Sequence, residues 1–527
     1  MMKKTIVALL MLSVSQVAMA QQKSINPYTK MVNAEGLKKH LTVIASDAME
    51  GRETGTEGQR KAAAYIEGVF KKIGLKKVPS LNGYQQMYPL KQDSLVSASL
   101  SIHQESATYG NDYITPLNVN ETGSFTADEL VFVGYGIDDS QYSDYQNKLV
   151  KGKVVVFFAG EPKKDGKYFI HPEGRSSQWT YPGLNKKLEV AASKGAIGAM
   201  IINSSQENFT QKNIDNSKRN GIRLVKETDT IKKINGVLLS HAFAQKILGQ
   251  EMDSLLICAK NNQAMNYLNV SWKMPVEMHY SKYTNTVYAS NVVGIIEGSD
   301  KKDEYVFLTA HYDHLGKQGD KIYNGADDDG SGTVTVLQMA AAFAQAKKDG
   351  HGPRRTVVCM TVSGEEKGLW GSEYYSEHPF YPTEKTSVDL NTDMIGRIDT
   401  ERQTADTLNY VYVVGHDKIS SELPVINEGI NNQTTQLVLD YKFDDPKDPN
   451  RIYYRSDHYN FARKGIPVLF FYDGMLKADY HQPTDDIEFI NWSLFEKRAQ
   501  MIFNTAWEMA NREGMLIRDK PLPTGTR

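Results

Sequence analysis

Hydrophobic periodicity divides the chain into helical and extended segments. Apolar positions recur at helical spacing over 57–73, at Ala62, Tyr65, Ile66, Val69 and Phe70, which predicts an amphipathic helix. From about residue 284 onward, short apolar runs alternate with helical patterns. The runs are 291–296, 305–310, 356–362, 387–390, 410–414 and 466–471. This alternation predicts an α/β fold, with a mixed, largely parallel sheet sandwiched by helices.

The pattern changes between residues 95 and 278. Short β-like runs appear at 130–135, 154–158 and 197–202, and a helical stretch at 186–193 precedes the last of them. No cluster of histidines and carboxylates accompanies these runs. We therefore expect 95–278 to be an inserted β-rich module. Residues 33–94 and 279–515 are then the two parts of one main domain.

The first residues have the organisation of an export signal. Lys3 and Lys4 precede a mostly apolar stretch, and Ala18-Met19-Ala20 places small residues where signal peptidase reads them. We expect residues 1–20 to be a signal peptide cleaved after Ala20, which predicts a periplasmic or secreted protein. The apolar stretch is shorter than the ~20 residues of a membrane span, so no membrane anchor is expected.

Net charge and cysteine content limit the kinds of binding site that we expect in this chain. The formal net charge of -2 gives no electrostatic footprint for nucleic acid. The chain has two cysteines, Cys258 and Cys359, and Cys359 lies in an apolar strand-like run. We expect both to be buried free thiols, with a disulfide between them as the alternative, so that cysteine holds neither a metal nor the fold.

A histidine motif follows the apolar run at 305–310. It reads His311-Tyr312-Asp313-His314. Residues two apart in an extended segment face the same way, so His311 and Asp313 share one side. A carboxylate beside an imidazole is the arrangement that holds the far nitrogen of a metal-binding histidine.

Three successive aspartates lie in a Gly/Ser-rich loop at 324–332, directly before an apolar helix at about 333–346. Neighbouring carboxylates repel one another, and a bound cation removes that repulsion. A solvated acidic turn is the alternative for such a loop. Its position between a strand-end histidine and a helix favours a metal site.

Further candidates follow the later apolar runs. They are Glu365, Glu366, Asp393 and His481. Adjacent residues cannot both face one point, so one glutamate is expected to bind metal while the other acts on a water molecule.

The donor set suffices for two zinc ions that share Asp328. His311 and Asp393 would complete one site, and Glu366 and His481 the other. A bridging water would then give near-tetrahedral coordination.

At these motifs the sequence resembles the dizinc aminopeptidase family, which also contains glutamate carboxypeptidases and the non-catalytic transferrin receptors. The matching segments are 51–56, 311–313, 325–332, 364–372, 393–396 and 480–481. The resemblance implies a zinc-exopeptidase fold of the phosphorylase/hydrolase-like type. The segments 130–136, 150–156 and 191–196 look like a protease-associated (PA) insert.

The resemblance also implies roles for individual residues. Asp328 matches the bridging ligand, and the Asp328–Asp329 peptide bond is expected to be cis. Glu365 matches the general base and Glu366 a metal ligand.

Two supporting roles are also implied. Asp313 is expected to orient His311. Tyr480 resembles the residue that stabilises the oxyanion in some members, with Tyr453 or Tyr454 as alternatives.

The function expected from these features is that of an exported zinc-dependent exopeptidase with two Zn²⁺ per chain, acting on peptide substrates from the amino end. A carboxypeptidase is one alternative, because Arg397 and Arg455 lie close to the motifs. A single-zinc transferase resembling glutaminyl cyclase and a non-catalytic binding protein are two more. The sequence carries no signal for an oligomeric state.

Overall fold

The computed structural model describes residues 26–522 except 169, 172–173, 175, 181–182, 220 and 226–232. The predicted signal peptide lies outside the described residues. The chain divides into two compact units. The first unit comprises the residues up to Tyr88 and those from Tyr288 on, and the second unit comprises Pro89–Val287.

A mixed sheet forms the centre of the first unit. Its strands are β1 (the end of Ser271–Ile296), β2 (Lys301–His311), β3 (Arg355–Val362), β4 (Thr386–Thr392), β5 (Tyr410–Val414), β6 (Val438–Asp440) and β7 (Val468–Tyr472). Their order is β6-β5-β7-β4-β2-β3-β1. The pairs β2–β3, β2–β4, β4–β7 and β5–β6 are parallel, whereas β1–β3 and β5–β7 are antiparallel. The prediction of a mixed, largely parallel sheet is confirmed.

Helices accompany the sheet throughout the first unit. They are α1 (Ala34–Ile44), α2 (Glu57–Ile73), α3 (Gly332–Lys348), α4 (Trp370–Glu377), α5 (Glu422–Gln433), α6 (His458–Ala462) and α7 (Trp492–Asn511). Every residue of β3, β4, β5 and β7 is buried, so both faces of the sheet are covered.

Helix α2 has the bounds predicted from its apolar spacing. Its buried face includes Ala62, Ile66 and Phe70. The helix ends at Gly74, whose positive φ of 85° lets its N–H bond back to the carbonyl of Phe70.

Shorter segments complete the first unit. The 3₁₀ helices are Pro27–Met31, Asp47–Arg52, Thr383–Lys385, Lys442–Asp444, Ile452–Tyr454 and Ile487–Phe489, a π-helical segment spans Ala326–Ser331, and a hairpin joins Gly316–Gln318 to Lys321–Tyr323.

The second unit is also built on paired strands. From the first part of Ser271–Ile296 the order continues through Gly123–Phe132, Val154–Phe158, Gly198–Ile202, Gly236–Leu239 and Tyr113–Ile114. Further strands are Gln85–Ile102, Glu105–Ser106, Lys163–Lys164, Lys167–Tyr168 and Arg223–Leu224, and the helices are Leu184–Ser193, Gln211–Lys218, His241–Leu248 and Glu251–Lys260. Among the described residues, the groups suited to hold a metal all lie in the first unit.

The predicted strand at 130–135 is wrong in its position, because the strand is Gly123–Phe132. Gly134 and Gly136 adopt positive φ, and the chain turns there. The carboxylate of Asp144 accepts the N–H groups of Tyr135 and Ile137, so it replaces the ladder that a strand would make.

Two further expectations concern the cysteines and the membrane. Both cysteines are free, but only Cys359 is buried; Cys258 is partly exposed. The prediction of two buried thiols is therefore wrong for Cys258, which lies on the helix Glu251–Lys260. None of the described helices combines the length and the apolar content of a membrane span.

Candidate metal centre

The candidate ligands collect where strands of the central sheet end. His311 is the last residue of β2, and Asp393 directly follows β4. Because β2 and β4 are parallel neighbours, these ends meet at one edge of the sheet. Glu365 and Glu366 come shortly after β3, and His481 lies on the loop that follows β7.

One cluster consists of His311, Asp328 and Asp393. The Nε2 atom of His311 lies 3.2 Å from Oδ1 of Asp328 and 3.6 Å from Oδ1 of Asp393. All three residues are buried.

A second cluster consists of His481, Asp328 and Glu366. The Nε2 atom of His481 lies 3.1 Å from Oδ2 of Asp328 and 3.1 Å from Oε2 of Glu366. Asp328 therefore presents one carboxylate oxygen to each cluster. These are the two groups into which the sequence analysis sorted the ligands.

The spacings and the chemistry of both clusters fit zinc. Zinc binds nitrogen and oxygen ligands at about 2.0–2.2 Å, so the corners of a tetrahedral site are about 3.3–3.6 Å apart. The N···O separations of 3.1–3.6 Å in the two clusters are close to this range. Imidazole nitrogen with carboxylate oxygen is a donor set that suits zinc and also manganese or cobalt.

The carboxylate of Asp329 accepts hydrogen bonds from backbone N–H groups, although Asp329 belongs to the same acidic loop as Asp328. Its Oδ2 atom accepts the N–H of His311, and its Oδ1 atom accepts those of Gly332 and Met394. The Asp328–Asp329 bond is cis, as predicted. A Cβ atom on Gly332 would lie 2.1 Å from the carbonyl oxygen of Thr392, so only glycine permits this close approach.

Asp313 connects His311 to Glu365. The Nδ1 atom of His311 lies 3.1 Å from the backbone oxygen of Asp313 and 3.6 Å from its Oδ1 atom. The Asp313 carboxylate accepts the hydroxyl of Thr54 at 2.7 Å and the N–H of Glu365 at 3.2 Å. Asp313 thus contacts His311 mainly through the main chain.

Arg52 is a supporting residue to which the sequence analysis gave no role. It is fully buried, and its guanidinium donates hydrogen bonds to the carbonyl oxygens of Ile44, Tyr312, Asn324 and Gly325. It therefore ties the loop after β2 to the start of the acidic loop. The only signal in the sequence was its place in the Gly/Thr-rich segment 51–56.

His314 is a second residue without a predicted role. Its Nδ1 atom lies 2.8 Å from Oε1 of Glu366, and its ring meets that of His481 edge-on with centroids 5.9 Å apart. Glu366 therefore directs one oxygen to His481 and the other to His314. A histidine three residues after a strand-end histidine was the available signal.

Ser456 holds Asp393 in place. Its hydroxyl donates to Oδ2 of Asp393 at 2.6 Å, and the amide of Asn391 donates to the hydroxyl oxygen of Ser456 at 2.8 Å. The Oδ1 atom of Asp393 remains directed at His311.

The electrostatics of the two clusters favour a cation. Burial raises the pKa of Glu365 well above its usual value, and the neighbouring Glu366 raises it further. Burial lowers the pKa of His481, but its hydrogen bonds to Asp328 and Glu366 outweigh that effect and raise it to about 10. Burial opposes ionisation of Asp328, but hydrogen bonds from His311 and His481 hold its pKa well below the usual value.

Two cavities open at the clusters. The smaller cavity is lined by polar and by apolar side chains. The polar ones are Asp328, Glu365, Asp393, Arg455, Ser456 and Tyr480, and the others are Met394, Ile452, Phe470, Tyr472 and Leu476. The larger cavity, of about 540 Å³, is lined by Glu365, Glu366, Lys367, Arg451, Tyr454, Arg455 and Tyr480, among others.

The three candidate tyrosines are placed differently. Tyr480 lines both cavities, and Tyr454 lines the larger one. Tyr453 is buried and lines neither. Burial raises the pKa of Tyr480, with a further contribution from Asp328, so its phenol keeps its proton and can donate it in a hydrogen bond.

Arg397 and Arg455, the two arginines close to the motifs, have different surroundings. The guanidinium of Arg397 pairs with Asp479 at 2.6 Å and lies over the ring of Phe489. Arg455 instead lines both cavities.

Curated relatives match part of the chain. A probable leucine aminopeptidase from Trichophyton verrucosum (strain HKI 0517) is 27% identical over 227 residues, which are 42% of this chain and 57% of the relative. A probable zinc metalloprotease from Pyrenophora tritici-repentis (strain Pt-1C-BFP) is 24% identical over 266 residues, covering 43% of this chain and 58% of the relative. The chain thus spans just over half the length of these two relatives.

A solved structure matches nearly the whole chain. The aminopeptidase from Aneurinibacillus sp. strain AM-1 aligns with a TM-score of 0.50 and 19% identity, covering 95% of this chain and 98% of the other. This likeness shows the fold.

Residues 291–506 match the profile of Peptidase family M28. That stretch includes both metal-ligand clusters, Glu365 and Tyr480. The family predicted from the motifs is therefore confirmed: residues 291–506 of this chain belong to peptidase family M28, a family of zinc metallopeptidases.

Proposed function

We propose that the chain is an exported zinc aminopeptidase that holds two zinc ions and removes amino-terminal residues from peptides. The observation that carries this proposal is the sharing of Asp328 between two His–carboxylate clusters beside Glu365. In this assignment His311, Asp328 and Asp393 hold one ion. Asp328, Glu366 and His481 hold the other.

Zinc bound at these residues would acidify a water molecule and polarise the scissile carbonyl. Glu365 takes the proton of the attacking water and later delivers a proton to the leaving amine. Its Oε2 atom lies 4.0 Å from Nε2 of His311, and it lines both cavities. Tyr480 donates a hydrogen bond to the developing oxyanion.

The smaller cavity supports removal of residues from the amino end. Its apolar residues line the same cavity as the carboxylates of Asp328 and Asp393. An apolar side chain of the first substrate residue would contact these apolar residues, and the carboxylates suit its free α-amino group. Relatives named as leucine aminopeptidases are consistent with this assignment.

Export and the inserted module are further parts of the proposal. Residues 1–20 would direct the chain to the periplasm or the exterior, with cleavage after Ala20. Residues 95–278 would be the protease-associated insert between 33–94 and 279–515. Support comes from the residue patterns of these segments.

The decisive experiment replaces Glu365 with Gln. We expect kcat on aminoacyl-anilides to fall by about 10²–10⁴-fold because the general base is lost. Elemental analysis should still find two zinc ions per chain, as in the unmodified protein. Glu57→Gln is a matched control, since Glu57 is exposed on α2.

The transferase and binding-protein alternatives give different results in the same experiment. Undiminished turnover by the Glu365→Gln variant would reject the mechanism. One zinc per chain would favour the cyclase-like transferase. Absence of both zinc and hydrolysis after zinc is added back would favour a binding protein.

A further inference from the structure

Arg455 stands where the two cavities adjoin. It is an exposed residue that lines both, together with Glu365 and Tyr480. It directly precedes Ser456, whose hydroxyl holds Asp393. The backbone at Arg455 is therefore fixed relative to one metal-ligand cluster, while its side chain faces the space that a substrate would enter.

The charge of Arg455 is not neutralised within the described part of the chain. Lys367 pairs with Glu53 at 2.7 Å, and Arg397 pairs with Asp479 at 2.6 Å. Arg455 makes no salt bridge with a described carboxylate. Its hydrogen bond runs from Nη2 to the hydroxyl of Tyr480, a neutral group, at 2.9 Å.

The guanidinium of Arg455 also has N–H donors beyond the one that binds Tyr480. A guanidinium carries five N–H donors in a planar fork, and the bond to Tyr480 uses one of them. A second arginine, Arg451, lines the larger cavity and lies over the ring of Tyr454. The cavity of about 540 Å³ is therefore lined by arginines as well as by Glu365 and Glu366.

We propose that Arg455 binds a carboxylate of the substrate, so that the site prefers peptides with a carboxylate next to the scissile bond. Arginine is suited to this because its fork matches a carboxylate in two parallel hydrogen bonds. The proposal rests on the proposed peptidase function and names its substrate class. The carboxylate can come from an acidic side chain or from the carboxyl terminus of a dipeptide.

Three matched peptide pairs distinguish these sources. Leu-Ala against Leu-Ala-amide tests the carboxyl terminus, Leu-Asp-amide against Leu-Asn-amide tests the leaving residue, and Asp-Ala-amide against Asn-Ala-amide tests the first residue. We expect at least one pair to show a kcat/KM about 10-fold higher for the carboxylate member, as for hydrogen bonds to charged groups.

Arg455→Gln should remove that preference. The kcat/KM of the carboxylate member is expected to fall about 10-fold more than that of the neutral member. Arg455→Lys should restore part of the preference. Arg60→Gln is the matched control, because Arg60 is also an exposed arginine of the first unit, paired with Glu57 and absent from both cavities.

Two kinetic results would overturn the proposal. One is equal kcat/KM within all three pairs for the unmodified protein. The other is an equal loss on both members of a pair in Arg455→Gln, which would mean that Arg455 acts only through Tyr480.

A binding measurement separates this proposal from the proposed function. In zinc-loaded Glu365→Gln protein, calorimetry gives the Kd of each peptide without turnover. Tighter binding of the carboxylate member, lost on adding Arg455→Gln, supports the proposal even if the unmodified protein hydrolyses none of the peptides. Equal Kd values within every pair reject it even if the protein is an active aminopeptidase.

Discussion

The two halves of the metal centre are held in different ways. In the His311 half, the histidine ends a central strand, its side chain is 1% exposed, and its N–H bonds to Asp329. In the His481 half, the histidine lies on a loop with a positive φ of 57°, and its side chain is 35% exposed. One half is therefore fixed by the sheet, while the other depends on side-chain contacts.

Those contacts are few and local. The ring of His481 stacks on Tyr480 with centroids 3.9 Å apart and meets His314 edge-on. Ligands that are already oriented lose less freedom when a metal binds, so we expect the His311 half to hold its ion more tightly. A shared bridging residue therefore does not make the two sites equivalent.

The largest effect is expected from Asp328→Ala, which takes one oxygen from each half. Both zinc ions should be lost, with no detectable hydrolysis, as measured by elemental analysis after gel filtration. Asp320→Ala, at an exposed position of the nearby hairpin, is the control. Retention of one tightly bound zinc would show that Asp328 serves a single half.

Separate replacement of His311 and His481 tests the expected difference in zinc binding between the two halves. Zinc release to a coloured chelator should be biphasic in the unmodified protein, with rates about 10- to 100-fold apart, the range typical of changes in ligand support. His481→Ala should abolish the fast phase, and His311→Ala the slow one. A single phase, or the opposite assignment, would contradict the comparison.

His314→Gln should sharpen the comparison within the His481 half. Without the imidazole beside Oε1 of Glu366, zinc affinity of this half should fall about 10- to 100-fold. The slow phase of zinc release should be unchanged. His351→Gln, at an exposed histidine, is the control, and an equal loss from both halves would disprove a selective role.

Ser456→Ala should have the smallest effect. It removes the hydroxyl that donates to Asp393, and the net worth of such a bond is about 0.5–1.5 kcal/mol. Zinc in the His311 half should bind about 2- to 13-fold more weakly, from the same energy. Faster zinc release from the His481 half would contradict the assignment of Ser456 to the His311 half.

Much of the fold could be predicted from periodicity. Apolar runs predicted the strands of the central sheet, and the bounds of β5 and α2 agree with the structure. The predicted ends of other strands differ from the observed ends by a few residues, because the hydrophobic pattern does not show where the backbone turns. The turn after Gly123–Phe132 depends on Gly134 and on Asp144, which lies ten residues further along the chain.

The candidate site, like the fold, could be predicted from the sequence only in part. The ligand types, their order and their grouping followed from motifs at strand ends, and the structure brings these residues together, although metal binding by them remains a prediction. The roles of Arg52 and His314 could not be predicted. Arg52 donates to carbonyl oxygens, which every residue possesses, and His314 lacked a feature that distinguishes it from a structural histidine.

The division of the first unit into two stretches of chain has a consequence during synthesis. Ile66 and Phe70 of α2 belong to the same hydrophobic core as Val292 and Val293 of β1. A ribosome adds about 5–20 residues per second, so the intervening second unit of about 200 residues delays that core by about 10–40 s. The second unit is contiguous in the chain. Arg52 is made before the second unit, whereas its carbonyl partners at Tyr312, Asn324 and Gly325 are made after it, so this support of the metal centre cannot form earlier.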